Sequence, residues 1–213
     1  MRQFHYRSSS RAGFTLIELL AVLLILAILI GVLVSSLMQG EDAVKAGVAR
    51  NRMGQLGTAL GEFSDDRGEY PASQLPIELG TAPNATNVGS ECLYLALCAE
   101  GAPGYATLGK AEYLCNTDRD ALSKRPKGFE TQDLFELADP WENPIVYIRA
   151  SDYEREFRYV FVDTETGEES EVTLHALKNA MTGRYEEPSS FQLFSAGVDG
   201  KFGTEDDLMN FKK

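Results

Sequence analysis

Cysteine is sparse and odd in number. Cys92, Cys98 and Cys115 exclude a fully paired disulfide framework within one chain, and no CxxC spacing is present. One bridge with a free thiol and three small buried thiols both satisfy the count. Histidine is scarcer still: His5 and His175 stand far apart, which argues against a zinc centre. Positive charge is also in deficit. Against 32 Asp and Glu there are 20 Lys and Arg, giving a net charge of −12. Such a surface does not suit nucleic acid, whose phosphates need clustered basic residues. It suits a secreted face or a divalent cation instead. One stretch lacks charge of either sign: none occurs from Leu19 through Met38.

That uncharged stretch is the strongest feature present. At about 1.5 Å per residue its helix would cover the roughly 30 Å hydrocarbon core of a bilayer. Leu, Ile and Val dominate it, so a membrane helix is expected. Arg2, Arg7 and Arg11 precede it, and Glu41 and Asp42 follow it, an asymmetry that puts the N-terminus in the cytoplasm and the body outside. Two details go beyond a plain anchor. Glu18 lies inside the apolar sequence, where a carboxylate costs roughly 2.5–3.5 kcal/mol on insertion scales, partly offset at a helix N-terminus. The junction Arg11-Ala12-Gly13-Phe14-Thr15 changes abruptly from polar and basic to hydrophobic. A simple single-pass anchor leaves Glu18 without a reason. A cleaved general secretory signal wants a shorter apolar core followed by small residues.

The segment GFTLIELLAVLLILAILIGVLV, beginning at Gly13, resembles the class III signal and N-terminal helix of type IV pilins and type II secretion pseudopilins. The resemblance implies a leader of residues 1–13, removed by a membrane aspartyl peptidase that cuts after Gly13 and methylates Phe14. It makes Glu18 the fifth residue of the mature chain, paired during assembly with the N-terminal amine of a neighbouring subunit. Loss of the leader would leave −15 on the remainder.

Past Gly40, Ala49, Met53, Leu56, Leu60 and Phe63 recur at helical spacing on one face. The expected organisation is an assembly helix over 14–40, an amphipathic helix over 41–64 and a variable region over 65–138. A sheet with a terminal loop follows over 139–213. Gly47, Gly54, Gly57 and Gly61 weaken the second helix, so packing must stabilise it. The run Asp65 to Pro71 ends it. Glu91 to Ala99 reads as a short apolar helix. Ile145–Ile148, Phe157–Val162, Val172–Leu174 and Phe191–Phe194 read as strands. The fold class is α+β: a long N-terminal helix packed on a small antiparallel sheet, as in pilins.

Asp139-Pro140-Trp141-Glu142-Asn143-Pro144 resembles the DPWGNPY segment that opens the sheet in the major-pseudopilin branch, with Glu142 where that branch has Gly. The closing run Ser195 to Asp207 combines three glycines with Asp199, Glu205, Asp206 and Asp207, hard oxygen donors of the kind Ca²⁺ takes. Its spacing is not that of an EF-hand. It resembles the calcium loop S-x-G-x-D-G-x-x-G-x-x-D-D of that branch. The resemblance assigns Ca²⁺ to the side chains of Asp199, Asp206 and Asp207, with Ser195 and Lys201 nearby offering carbonyls.

No catalytic constellation is evident. Ser123, Asp118 and Asp120 have no histidine close in sequence, and Asp65-Asp66 reads as a solvated pair. The expected function is therefore structural and not enzymatic: a subunit of a type II secretion pseudopilus. The resemblance implies a homo-oligomeric filament, with prepilin peptidase, other pseudopilins and an inner-membrane assembly platform as partners. The body would lie in the periplasm. An adhesive or other type IV pilus subunit, or a membrane-tethered calcium-binding or sensory domain, are the alternatives.

Overall fold

The computed structural model describes residues 14–75 and 84–211, apart from the side chains of 34–39. The leader 1–13, with Gly13 of the expected cleavage junction, lies outside the described residues, as does 76–83 of the expected variable region. By its contacts the chain divides into two compact units, Met1–Asp42 and Ala43–Lys213. Helix α1, Leu16–Arg67, belongs to both.

In the first unit α1 is apolar all round from Leu19 to Leu33. None of Leu16–Leu33 is buried, and this is the one helix among the described residues long and apolar enough to cross a membrane. In the second unit the same helix becomes two-sided. Ala49, Met53, Leu56, Ala59 and Leu60 are buried, and Phe63 packs against the same cluster at its edge. Arg50, Gly54 and Glu62 stay exposed. The helix stops at Gly68, whose φ of +82° only glycine adopts freely, and whose N–H donates to the Ser64 carbonyl at 2.8 Å.

The body is layered. Strands β3 (Val146–Arg149), β6 (Phe191–Ser195) and β7 (Leu208–Met209) form an antiparallel sheet in the order β3-β6-β7. Tyr147 pairs with Leu193, and Val146 with Phe194. The side-chain period of two divides each strand between two cores. Tyr147, Phe191 and Leu193 pack with Leu56 and Leu60 of α1 and with Leu93 and Leu97 of α2 (Val88–Leu97). Val146, Ile148 and Phe194 pack on the other side with Phe157, Tyr159 and Phe161. Burial on both faces explains why Ile145–Ile148 is continuously apolar instead of alternating.

Phe157, Tyr159 and Phe161 come from β4 (Phe157–Val162), which forms a hairpin with β5 (Glu169–Leu174). Here the expected alternation is present, with Arg158 turned to solvent. Strand β5 begins three residues before the expected Val172, because its extension is exposed and polar and is set by pairing with β4, not by burial. A two-residue pair, β1 (Leu114–Cys115) with β2 (Glu136–Leu137), completes the sheets. The outer edge of β4 is met by backbone at Asn87, whose N–H donates to the Arg158 carbonyl at 2.8 Å, and beyond that by side chains. Asn143 Oδ1 accepts from the Val162 N–H at 2.7 Å and its Nδ2 donates to the Val162 carbonyl at 3.0 Å. Asn87 Oδ1 accepts from the Val160 N–H at 2.9 Å. Two asparagines thus stand in for a neighbouring strand, satisfying main-chain groups that would otherwise be buried unpaired. All three cysteines are free thiols in this structure.

Candidate functional site

The residues singled out from the sequence fall at two places, one in each compact unit. At the start of α1, Glu18 takes part in a reciprocal cap with Thr15. The Thr15 N–H and hydroxyl donate to Glu18 Oε2 at 2.9 and 2.6 Å, and the Glu18 N–H donates to Thr15 Oγ1 at 3.3 Å. This is a capping box, with Thr15 as N-cap and Glu18 at the third helical position. The carboxylate therefore has a local partner within one chain, in addition to any role between chains. The T-x-x-E spacing was legible in the sequence, but the hydrophobic context drew attention to the charge of Glu18 and away from its reach back to Thr15. Phe14 is 78% exposed, and the apolar residues that follow it through Leu33 have no cover within the chain. A surface of this kind needs lipid or other helices.

At the far end, Ser195 closes β6 and the acidic loop leaves the sheet. Gly200, at φ +68°, passes so close to β4 that a Cβ there would lie 2.1 Å from the Val162 carbonyl oxygen. The loop is folded by its own acids. Asp206 Oδ2 accepts from the N–H groups of Val198 and Asp199, at 2.5 and 3.1 Å. Asp199 Oδ1 accepts from the Lys201 N–H at 2.8 Å, and Asp207 Oδ2 from the Gly203 N–H at 2.8 Å. Burial raises the pKa of Asp206, but hydrogen bonds from Thr204 and from the backbone of Asp199 and Val198 outweigh it and hold the group below its ordinary value. Two expected neighbours face elsewhere with their side chains. Ser195 Oγ donates to Asp139 Oδ2 at 2.6 Å, and Lys201 Nζ pairs with Asp163 Oδ2 at 2.8 Å. That leaves only their carbonyls for a metal, the role the resemblance assigned. In donor type the loop suits calcium, with hard carboxylate and carbonyl oxygens on a glycine-turned segment, but the structure does not draw Asp199, Asp206 and Asp207 into one close group of carboxylate oxygens. Each of the three aspartates has an oxygen engaged with backbone N–H groups, yet a carboxylate offers about four lone-pair sites, so these bonds leave acceptor capacity.

Asp139 was not anticipated as part of this region. It is almost fully buried, and its Oδ1 also accepts from the N–H groups of Trp141 and Asn143 at 2.9 and 3.0 Å. It therefore joins the 139–144 turn to the strand that launches the loop. Within that turn Glu142 has a φ of +66°. The left-handed backbone that glycine would supply is kept despite the substitution.

Comparison with known proteins agrees with the arm. Residues 8–34 match the family model described as the prokaryotic N-terminal methylation motif. The chain is also 35% identical over 68 residues to the type II secretion system core protein G of Pseudomonas aeruginosa, a match covering 32% of this chain and 48% of that protein. It thus spans about half the length of that relative. No solved structure gives a significant match. The apolar N-terminal helix and this relative together fit a membrane-anchored protein. The methylation motif, the long apolar helix and the small antiparallel sheets together support a type IV pilin-like arrangement, similar to that of the pseudopilin relative.

Proposed function

We propose that this protein is a structural subunit of a type II secretion pseudopilus, matured by a prepilin peptidase and assembled through its N-terminal helix. One observation carries the reading: the methylation motif lies over a helix whose apolar side chains find no cover in their own chain. Membrane insertion holds the helix first. Cleavage after Gly13 then frees an N-terminal amine at Phe14, and packing against the same helix of other copies replaces lipid in the filament. Glu18 meets that amine in a neighbouring copy. Two opposite charges in a low dielectric gain most by meeting each other. Other pseudopilins and an inner-membrane platform are the remaining partners, and the body lies in the periplasm.

The C-terminal loop belongs to the same proposal as a Ca²⁺ site. Asp199, Asp206 and Asp207 would hold the ion through carboxylates, with the Ser195 and Lys201 carbonyls beside them. The ion would offset the mutual repulsion of clustered carboxylates and fix the loop on the sheet.

Mass spectrometry of the N-terminus of protein purified from membranes tests the proposal. A chain beginning at N-methylated Phe14 is expected. A mature protein that retains Met1 would instead be a tethered binding or sensory domain.

A further inference from the structure

Apart from the arm and the C-terminal loop, the body buries a group of acids with no cation among them. Glu91, in the first turn of α2, has 0% of its surface exposed, and neither of its carboxylate oxygens has a hydrogen-bond partner. Asp120 is 8% exposed, and both of its oxygens are likewise without a partner. Asp118 leaves Oδ1 unpartnered, while its Oδ2 accepts from Asn84 Nδ2 at 3.0 Å. One oxygen from each of the three lies within 4.8 Å of the others. None of the ion pairs among the described residues includes any of them. Glu136 borders the group, but its two oxygens are occupied by Asn87 Nδ2 at 2.9 Å and the Thr117 N–H at 3.2 Å.

Buried carboxylates are ordinarily paired or bound to metal, because an isolated charge loses its hydration without compensation. Here burial, and then the neighbouring acids, push Glu91 up to about 10 and Asp120 up to about 7. The backbone nevertheless holds these groups together. Asn116 clamps the loop by accepting from the Asp120 N–H at 3.0 Å and donating to the Asp120 carbonyl at 2.9 Å. Asp118 and Asp120 thereby stand one residue apart in a pinned bend, facing a helix whose first turn supplies Glu91.

We propose that Glu91, Asp118 and Asp120 form a binding site for a hard divalent cation, Ca²⁺, which ties the start of α2 to the 116–120 loop. The donor set is all carboxylate, with no thiol or imidazole to favour a softer metal. Oxygens of one calcium shell, each at about 2.3–2.6 Å from the ion, lie up to about 5 Å apart, a span that contains the observed grouping. A cleft of about 400 Å³, lined by Asn84, Thr117, Asp118, Glu169 and Glu171, reaches the group from outside on the Asp118 side. It gives the ion and its remaining water ligands a way in. Arg119, on the rim of that cleft, is paired with Glu169 and does not neutralise the group.

The test is calorimetric titration of Ca²⁺ into the full chain in detergent, stripped with chelator and dialysed. The variant Asp206→Asn/Asp207→Asn removes the C-terminal loop as a competing site and leaves the buried acids intact. It is expected to bind one Ca²⁺ per chain, and adding Glu91→Gln or Asp120→Asn is expected to weaken that binding at least tenfold. Circular dichroism confirms that each variant is folded. If the loop variant binds no Ca²⁺, or if both added substitutions leave its binding unchanged, the assignment is overturned. Unmodified protein that binds one Ca²⁺ regardless of Asp206 and Asp207, and loses it with Glu91→Gln, would refute the loop site and leave this one standing.

Discussion

The hydroxyl of Ser195 donates a 2.6 Å hydrogen bond to Oδ2 of Asp139, joining the end of β6 to the turn that opens the sheet. The two residues are 56 apart in sequence and both almost fully buried. Burial pushes Asp139 up to about 6, against hydrogen bonds from Ser195, Asn143 and Trp141 that favour its charged form. Asp139→Ala would leave two buried donors, at Ser195 and Asn143, and the half-buried Trp141 N–H without an acceptor. Stability should fall by about 2–4 kcal/mol, measured by urea unfolding. A change under about 0.5 kcal/mol would show that the turn holds without this residue.

The same turn makes the opposite prediction at Glu142. Glu142 occupies a left-handed backbone at φ +66°, and its side chain is exposed. Glu142→Gly removes the steric cost of that conformation, while the more flexible unfolded chain takes back part of the gain. The expected result is a stability unchanged or raised by up to about 1 kcal/mol. A clear loss on thermal unfolding would mean that the Glu142 side chain contributes something beyond the backbone.

Helical glycines should divide by location. A Cβ on Gly54 or Gly61 meets nothing within 4 Å, so alanine there should stabilise the isolated protein by about 0.5–1 kcal/mol each. At Gly89 a Cβ would lie 2.2 Å from the Tyr147 carbonyl oxygen and 2.4 Å from the Tyr159 hydroxyl. Gly89→Ala should therefore cost about 1–3 kcal/mol despite the better helix propensity. Thermal melts of the three variants give the comparison, and a stabilising Gly89→Ala would contradict the packing of α2 on β3.

Glu18→Gln separates the cap on Thr15 from the pairing proposed with a neighbouring amine. Glutamine still completes a capping box with Thr15 but carries no charge to meet an amine. Filament assembly is expected to be lost while membrane insertion is retained. Normal filaments from Glu18→Gln would assign the residue to capping alone.

Removal of calcium should loosen the C-terminal loop. With chelator, limited proteolysis between Ser195 and Asp207 should accelerate and the melting temperature should fall, because the loop then loses the ion proposed to hold its aspartates. Equal melting temperatures with calcium and with chelator would argue against any calcium site that stabilises the body.

Part of this protein follows from sequence alone. An uncharged run of membrane length, with Glu18 at its head, permits very few structures, because hydrocarbon tolerates neither open backbone nor idle charge. The stripe from Ala49 to Leu60 is equally local, since helical period fixes which side chains share a face. Strand β4 showed itself by alternation, and β3 by an apolar run too short for a helix. The rest depended on which distant segments meet. Nothing near Asn87 or Asn143 in the sequence marks them for this role, yet their side chains satisfy main-chain groups on the outer edge of β4. Asp118 and Asp120 gave the sequence only acids without a histidine close by, and it is α2 that brings the buried Glu91 against them. Spacing along one chain reports periodic faces. It does not report burial of a polar group by residues from distant segments, and burial is what changes a carboxylate from a solubilising surface group into one that needs a partner.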